Sequence, residues 1–81
     1  QNYPNPFNPV TSIKYEIPQR SFVTLKIFNT LGVEVSTLVN ENKQQGSYEV
    51  IWDAANLPSG VYFYRMTDDG RSIEKKMVLI K

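Results

Sequence analysis

Between residues 11 and 17 apolar and polar side chains alternate without a break. Ile13, Tyr15 and Ile17 share one face and Ser12, Lys14 and Glu16 the other, the period-two signature of a strand buried on one side. Pro18 stops it, because proline cannot donate to a ladder. Residues 21–29 alternate again, with Val23, Leu25 and Ile27 opposite Thr24 and Lys26, and the charge on Lys26 marks the wet face. Leu31 and Gly32 predict a hairpin tip. The next strand, 33–40, opens with Val33 and Val35 inward, but Leu38 and Val39 break the parity, which predicts a bulge or an early strand end. Residues 41–46 are polar and read as loop. Alternation resumes over 47–53, where Tyr48, Val50 and Trp52 share a face and put Trp52 at the centre of the core. After a connection over 54–60, residues 61–67 are apolar on both faces. Arg65 identifies the wet one and turns Tyr62, Tyr64 and Met66 inward. Asp68, Asp69 and Gly70 predict a tight turn, and residues 71–81 return as the last strand.

Six to seven short strands at about ten-residue spacing, with turn chemistry between them and no helical period, predict an all-β fold. The architecture expected is an antiparallel immunoglobulin or fibronectin type III-like β-sandwich. Composition agrees: Val, Ile, Thr, Tyr, Phe and Trp supply 29 of 81 residues and Ala only two, which excludes a helical bundle. Within the stretch Leu57 to Tyr62 a tyrosine opens a strand just after a Leu-Pro-Ser-Gly corner, the arrangement of a tyrosine corner whose hydroxyl bonds back to the chain. Residues 1–10, with Pro4, Pro6 and Pro9, read as a stiff extended or polyproline lead-in, folded onto the domain by Tyr3 and Phe7. Residues 11–81 read as a single β-sandwich domain.

Nine Lys and Arg against eight Asp and Glu leave a net charge of +1, too little for the basic stripe of a nucleic-acid or anionic-membrane binder. No apolar run approaches the length of a transmembrane segment, and the N-terminus has no export-signal pattern. The absence of an initial Met and the Pro-rich opening suggest a piece cut from the end of a longer protein. Four outward apolar positions, Phe22, Phe28, Ile51 and Phe63, are either scattered surface residues, residues covered by the lead-in segment, or a contact patch.

Chemistry is scarce. Without His or Cys, neither nucleophile–His systems nor His- or Cys-based zinc sites can be built. Glu16, Glu34 and Glu49 alternate with inward apolar residues and read as solvated strand faces. Asp68 and Asp69 read as turn formers, and Asp53 with Asn56 falls far short of a calcium ligand set. No catalytic residue, cofactor or metal is expected. The aromatics mostly carry inward parity, whereas a carbohydrate-binding module would require several outside the core.

Four stretches occur in order: Gln1-Asn2-Tyr3-Pro4-Asn5-Pro6-Phe7-Asn8-Pro9, Asn29-Thr30-Leu31-Gly32-Val33-Glu34-Val35, Leu57-Pro58-Ser59-Gly60-Val61-Tyr62-Phe63-Tyr64-Arg65, and Lys75-Lys76-Met77-Val78-Leu79-Ile80-Lys81. Together they resemble the type A C-terminal sorting domain of the type IX (Por) secretion system. The resemblance implies an address and not an enzyme: a cargo domain precedes it on the same chain and reaches the periplasm by a separate signal. The type IX machinery then moves it across the outer membrane to the cell surface or medium, where a sortase-like peptidase removes the sorting domain. The recognition segments implied are Tyr3, Pro4, Asn5, Pro6 and Phe7; Gly60 and Tyr62; and Lys75, Lys76, Met77, Val78, Leu79, Ile80 and Lys81, with processing near or before Gln1. Physically, an apolar end strand flanked by lysines offers a receptor a row of backbone donors and acceptors. The alternative reading is an Ig-like accessory or spacer domain, as in secreted hydrolases or flagellar hook-capping proteins.

Overall fold

Strand alternation is realised in two antiparallel sheets packed face to face. The computed structural model describes residues 2–81; Gln1, the first residue of the expected lead-in, lies outside the described residues. Among the described residues the strands are β1 (Asn2–Tyr3), β2 (Val10–Ile17), β3 (Ser21–Asn29), β4 (Glu34–Lys43), β5 (Gly46–Asp53), β6 (Gly60–Asp68) and β7 (Arg71–Leu79). One sheet has the order β1-β2-β5 and the other β4-β3-β6-β7. This is the expected all-β sandwich.

The core forms where the inward parities of the two sheets meet. Ile13, Tyr15, Ile17 and Trp52 from the smaller sheet are buried against Val23, Leu25, Ile27, Val39, Tyr62, Tyr64, Met66, Met77 and Leu79 from the larger. Each full burial of such a side chain contributes about 1.5–3 kcal/mol. Tyr48 and Val50 are half-buried at its margin. The outward apolar residues do not form one patch. Ile51 sits on the smaller sheet, while Phe22, Phe28 and Phe63 sit on the larger, where Phe28 pairs with Phe63 across the strands and is capped by Arg65 at 4.6 Å.

Three sequence readings need correction. Val33 is not inward but 54% exposed, because the Asn29 side-chain oxygen accepts from the amides of Leu31 and Val33 and curls residues 29–33 into a loop before β4 begins. The polar residues 41–43 are not loop: they continue β4, with Ser21 opposite Lys43 and Val23 opposite Glu41. An edge strand wet on one face tolerates such residues, and the ladder to β3 satisfies their backbone. Asp68 is not simply a turn former; it ends β6 with its carboxylate 3% exposed and held by Arg71. The turn itself uses Asp69 and Gly70, with φ of 41° and 91°, as a two-residue hairpin with primed geometry requires. The bulge expected near Leu38 is present: Leu25 pairs with Val39 and Lys26 with Thr37, leaving Leu38 over, and a second shift leaves Val35 over.

Candidate functional site

The corner before β6 is built as its sequence suggests. The Tyr62 hydroxyl donates to the Pro58 carbonyl at 2.7 Å, closing the corner while the ring packs edge-on against Trp52 at 5.7 Å between centroids. Gly60 lets the chain swing from corner into strand: its φ of 154° lies in a region that residues with a Cβ rarely enter, although open space surrounds the missing Cβ.

Against this corner the Pro-rich segment and the end of the chain are joined. Phe7 is 2% exposed, its ring 5.6 Å from that of Trp52. Its backbone runs parallel to β7, donating to the Val78 carbonyl and accepting from Ile80, both at 2.9 Å. Asn5 extends the seam with its side chain, donating to the Lys76 carbonyl at 3.2 Å and accepting from the Val78 amide at 3.0 Å. A side-chain amide thus replaces a strand where the prolines on either side of it have no N–H to offer. Farther up the segment, buried Asn2 donates to Thr11 and to the Pro4 carbonyl, and Thr11 donates to that same carbonyl at 2.9 Å. Past β7, the Lys81 amide donates to the Ser59 hydroxyl at 3.0 Å and its ammonium to the Ala55 carbonyl.

The four stretches that stand apart in sequence therefore meet at one end of the sandwich. Tyr62 pairs with Asn29 on one side and Met77 on the other, and Gly60 pairs with Leu79. Within this end the segments present different faces. Phe7, Met77 and Leu79 are core; Val78 is half-buried; Tyr3, Pro4, Asn5, Pro6, Lys75, Lys76, Ile80 and Lys81 are exposed. Tyr3 does not help to fold the segment down, being 80% exposed.

One physical expectation is overturned here. The outer edge of β7 is not an open row of donors and acceptors between Lys76 and Ile80, because Asn5 and Phe7 already occupy it. Only residues 71–75 of that edge lack such cover among the described residues. What this end offers a partner is consequently side chains: Ile80, 52% exposed, and Lys76 on the outward parity of β7, with Lys75 on the opposite face shared with Met77 and Leu79 and the Lys81 ammonium held to the Ala55 carbonyl. Asn5, Ser59 and Asn29 organise it, and their roles carry no periodic signal in the sequence.

The acidic groups are committed elsewhere. Asp53 accepts from the Ala55 amide at 2.9 Å, shaping the connection to the corner. Glu74 pairs with Arg65 at 3.0 Å and Glu34 with Lys26 at 3.5 Å, both in solvent. Two charged hydrogen bonds from Arg71, at 2.8 and 2.6 Å, hold the Asp68 carboxyl below the ordinary carboxylate range against the opposing effect of burial. Burial pushes the phenols of Tyr15 and Tyr64 up. Among the described residues no group of three or more Asp or Glu is gathered as a metal site would need.

No curated protein matches this chain. A family described as the secretion system C-terminal sorting domain matches it over residues 1–81, its full length, and so takes in all four converging stretches. A match of that extent, on an all-β sandwich whose ends are tied together around Tyr62, identifies the chain as a member of the family of C-terminal sorting domains of the type IX secretion system.

Proposed function

We propose that the type IX machinery reads this domain at the end of the sandwich where the four stretches meet, through the exposed side chains of Lys75, Lys76, Ile80 and Lys81 displayed beside the Tyr3-to-Pro6 segment. Family membership implies that the domain addresses a cargo on the same chain for export to the cell surface or beyond. Sorting-signal families are not enzyme families. The observation that carries the reading is the convergence of the stretches: Phe7, Asn5, Tyr62 and Ser59 fix the backbone of the last seven residues, so its side chains form a preorganised surface. Preorganisation reduces the ordering cost that a floppy tail would pay on binding. After translocation a sortase-like peptidase cuts upstream of the domain, freeing the cargo or attaching it to the surface.

Residues 1–81 fused behind a periplasmic reporter in a host with type IX machinery test this. The intact domain should carry the reporter to the surface or medium. The Lys75→Gln/Lys76→Gln variant should leave more of it in the periplasm with an unchanged melting transition, since exposed substitutions shift stability by no more than about 0.5 kcal/mol each. Export of that variant at the parental rate would refute the lysine reading, and periplasmic retention of the intact domain would refute sorting itself.

A further inference from the structure

Two strongly exposed apolar side chains stand on the short loop between β3 and β4. Leu31 is 85% exposed and Val33 54%, so neither contributes much burial energy to the fold. The loop that carries them is nevertheless closely held. The Asn29 side-chain oxygen accepts from the amides of Leu31 and Val33 at 2.9 and 3.0 Å. The Asn29 carbonyl accepts from the Gly32 amide, and the Asn29 amide donates to the Val33 carbonyl, both at 3.0 Å. Gly32, at φ 79°, supplies the left-handed residue that the turn needs. One asparagine thus closes residues 29–33 and holds Leu31 out in water, at a position where a polar residue would serve the turn equally well.

The surroundings of this loop are uncharged. Asn29 pairs with Tyr62 and Gly60 with Leu79, so the loop, the corner at 57–60 and Ile80 share one end of the larger sheet. Leu31, Leu57, Pro58 and Val61 border an open hollow of about 290 Å³, and no charged side chain lines it. Neither residues 29–33 nor residues 54–64 contain a charge in a chain that is 21% charged, so this end is apolar by composition as well as by exposure. A rimmed apolar patch marks a contact surface. Its size argues against a second copy as the occupant, because two exposed side chains and a hollow fall far short of the roughly 800 Å² per partner that a stable interface buries. The patch is part of a larger footprint, and the surface it adjoins at this end carries Lys76 and Ile80, the latter 52% exposed. We propose that Leu31 anchors the receptor that reads this end: it enters an uncharged apolar pocket of the partner, a ridge of the partner fills the hollow beside Val61, and acidic groups of the same partner face Lys76. Asn29 is the positioning residue, since it holds the anchor in its bound shape beforehand and so lowers the ordering cost of binding. This inference deepens the sorting proposal and rests on it.

The reporter fused ahead of residues 1–81, in a host with type IX machinery, tests the anchor with two substitutions at one position. Leu31→Gln should be exported roughly tenfold more slowly than the parent, the factor that one lost aliphatic contact gives, with an unchanged melting transition because the side chain is 85% exposed. Leu31→Met, which keeps the apolar volume, should be exported close to the parental rate. Parental export of Leu31→Gln overturns the anchor and leaves sorting standing, whereas periplasmic retention of the intact domain overturns both. An equal loss of export in Leu31→Met, or a lowered melting transition in Leu31→Gln, also overturns it, because the loss would then be structural. In sedimentation the purified domain should be a monomer. Self-association that Leu31→Gln abolishes would make a second copy the occupant and refute the proposal.

Discussion

Removing the Phe7 ring should cost this domain much of its stability, although the residue lies in a segment with no strand pattern of its own. Phe7 is 2% exposed and its ring contacts Trp52, so Phe7→Ala empties a fully buried aromatic site, a change that costs about 3–5 kcal/mol. Its two backbone bonds to β7 survive in alanine, so the loss is that of the ring alone. At about 0.05–0.15 kcal/mol per residue the whole chain has roughly 4–12 kcal/mol to lose. With a urea dependence of about 1 kcal/mol per molar for so small a domain, the midpoint should fall by about 3–5 M. Trp52 is the only tryptophan and is buried, so its emission should move from blue-shifted to solvent-like at that midpoint. If Phe7→Ala is unfolded even in water, Phe7→Leu, which empties less of the site, gives a measurable curve. Tyr3→Ala, at an 80% exposed position, should stay within about 0.5 kcal/mol of the parent. A Phe7→Ala urea midpoint within about 1 M of the parent would show that the segment is not part of the folded core.

Three further outcomes follow from the same structure. Tyr62→Phe should keep the fold and lose about 1 kcal/mol, because only the bond to the Pro58 carbonyl disappears; an unchanged denaturant midpoint would contradict the tyrosine corner. Gly60→Ala should cost about 1–3 kcal/mol through backbone conformation alone, since the added Cβ meets no atom, and a neutral result would mean that the corner relaxes freely. Asp68, whose folded pKa is depressed by Arg71, contributes fully above its unfolded value of about 4 and loses that contribution as pH falls through the lower folded value. Wild-type stability should therefore drop more steeply than that of Asp68→Asn between about pH 5 and 2, and parallel urea midpoints across that range would refute the pairing.

Strand parity was legible wherever a strand has one face on the core. Residues 13, 15 and 17, then 23, 25 and 27, then 62, 64 and 66 all point inward as their alternation predicts, because a pleated chain leaves no other way to bury every second side chain. The tyrosine corner was equally legible, since its hydroxyl reaches back only four residues. The family resemblance rested on ordered local motifs for the same reason. Periodicity misled at β4, an edge strand where polar residues cost nothing and bulges shift the parity, and at Val33, where the Asn29 side chain outcompetes strand extension. It was silent on the contacts that build the candidate site. Asn5 meets Lys76 and Val78 across more than seventy residues, and Phe7 takes the edge of β7 that looked free for a partner. Alternation records what each residue wants from solvent; which distant backbone group satisfies an asparagine between prolines is decided only when the sheets close and an unpaired N–H must find an acceptor.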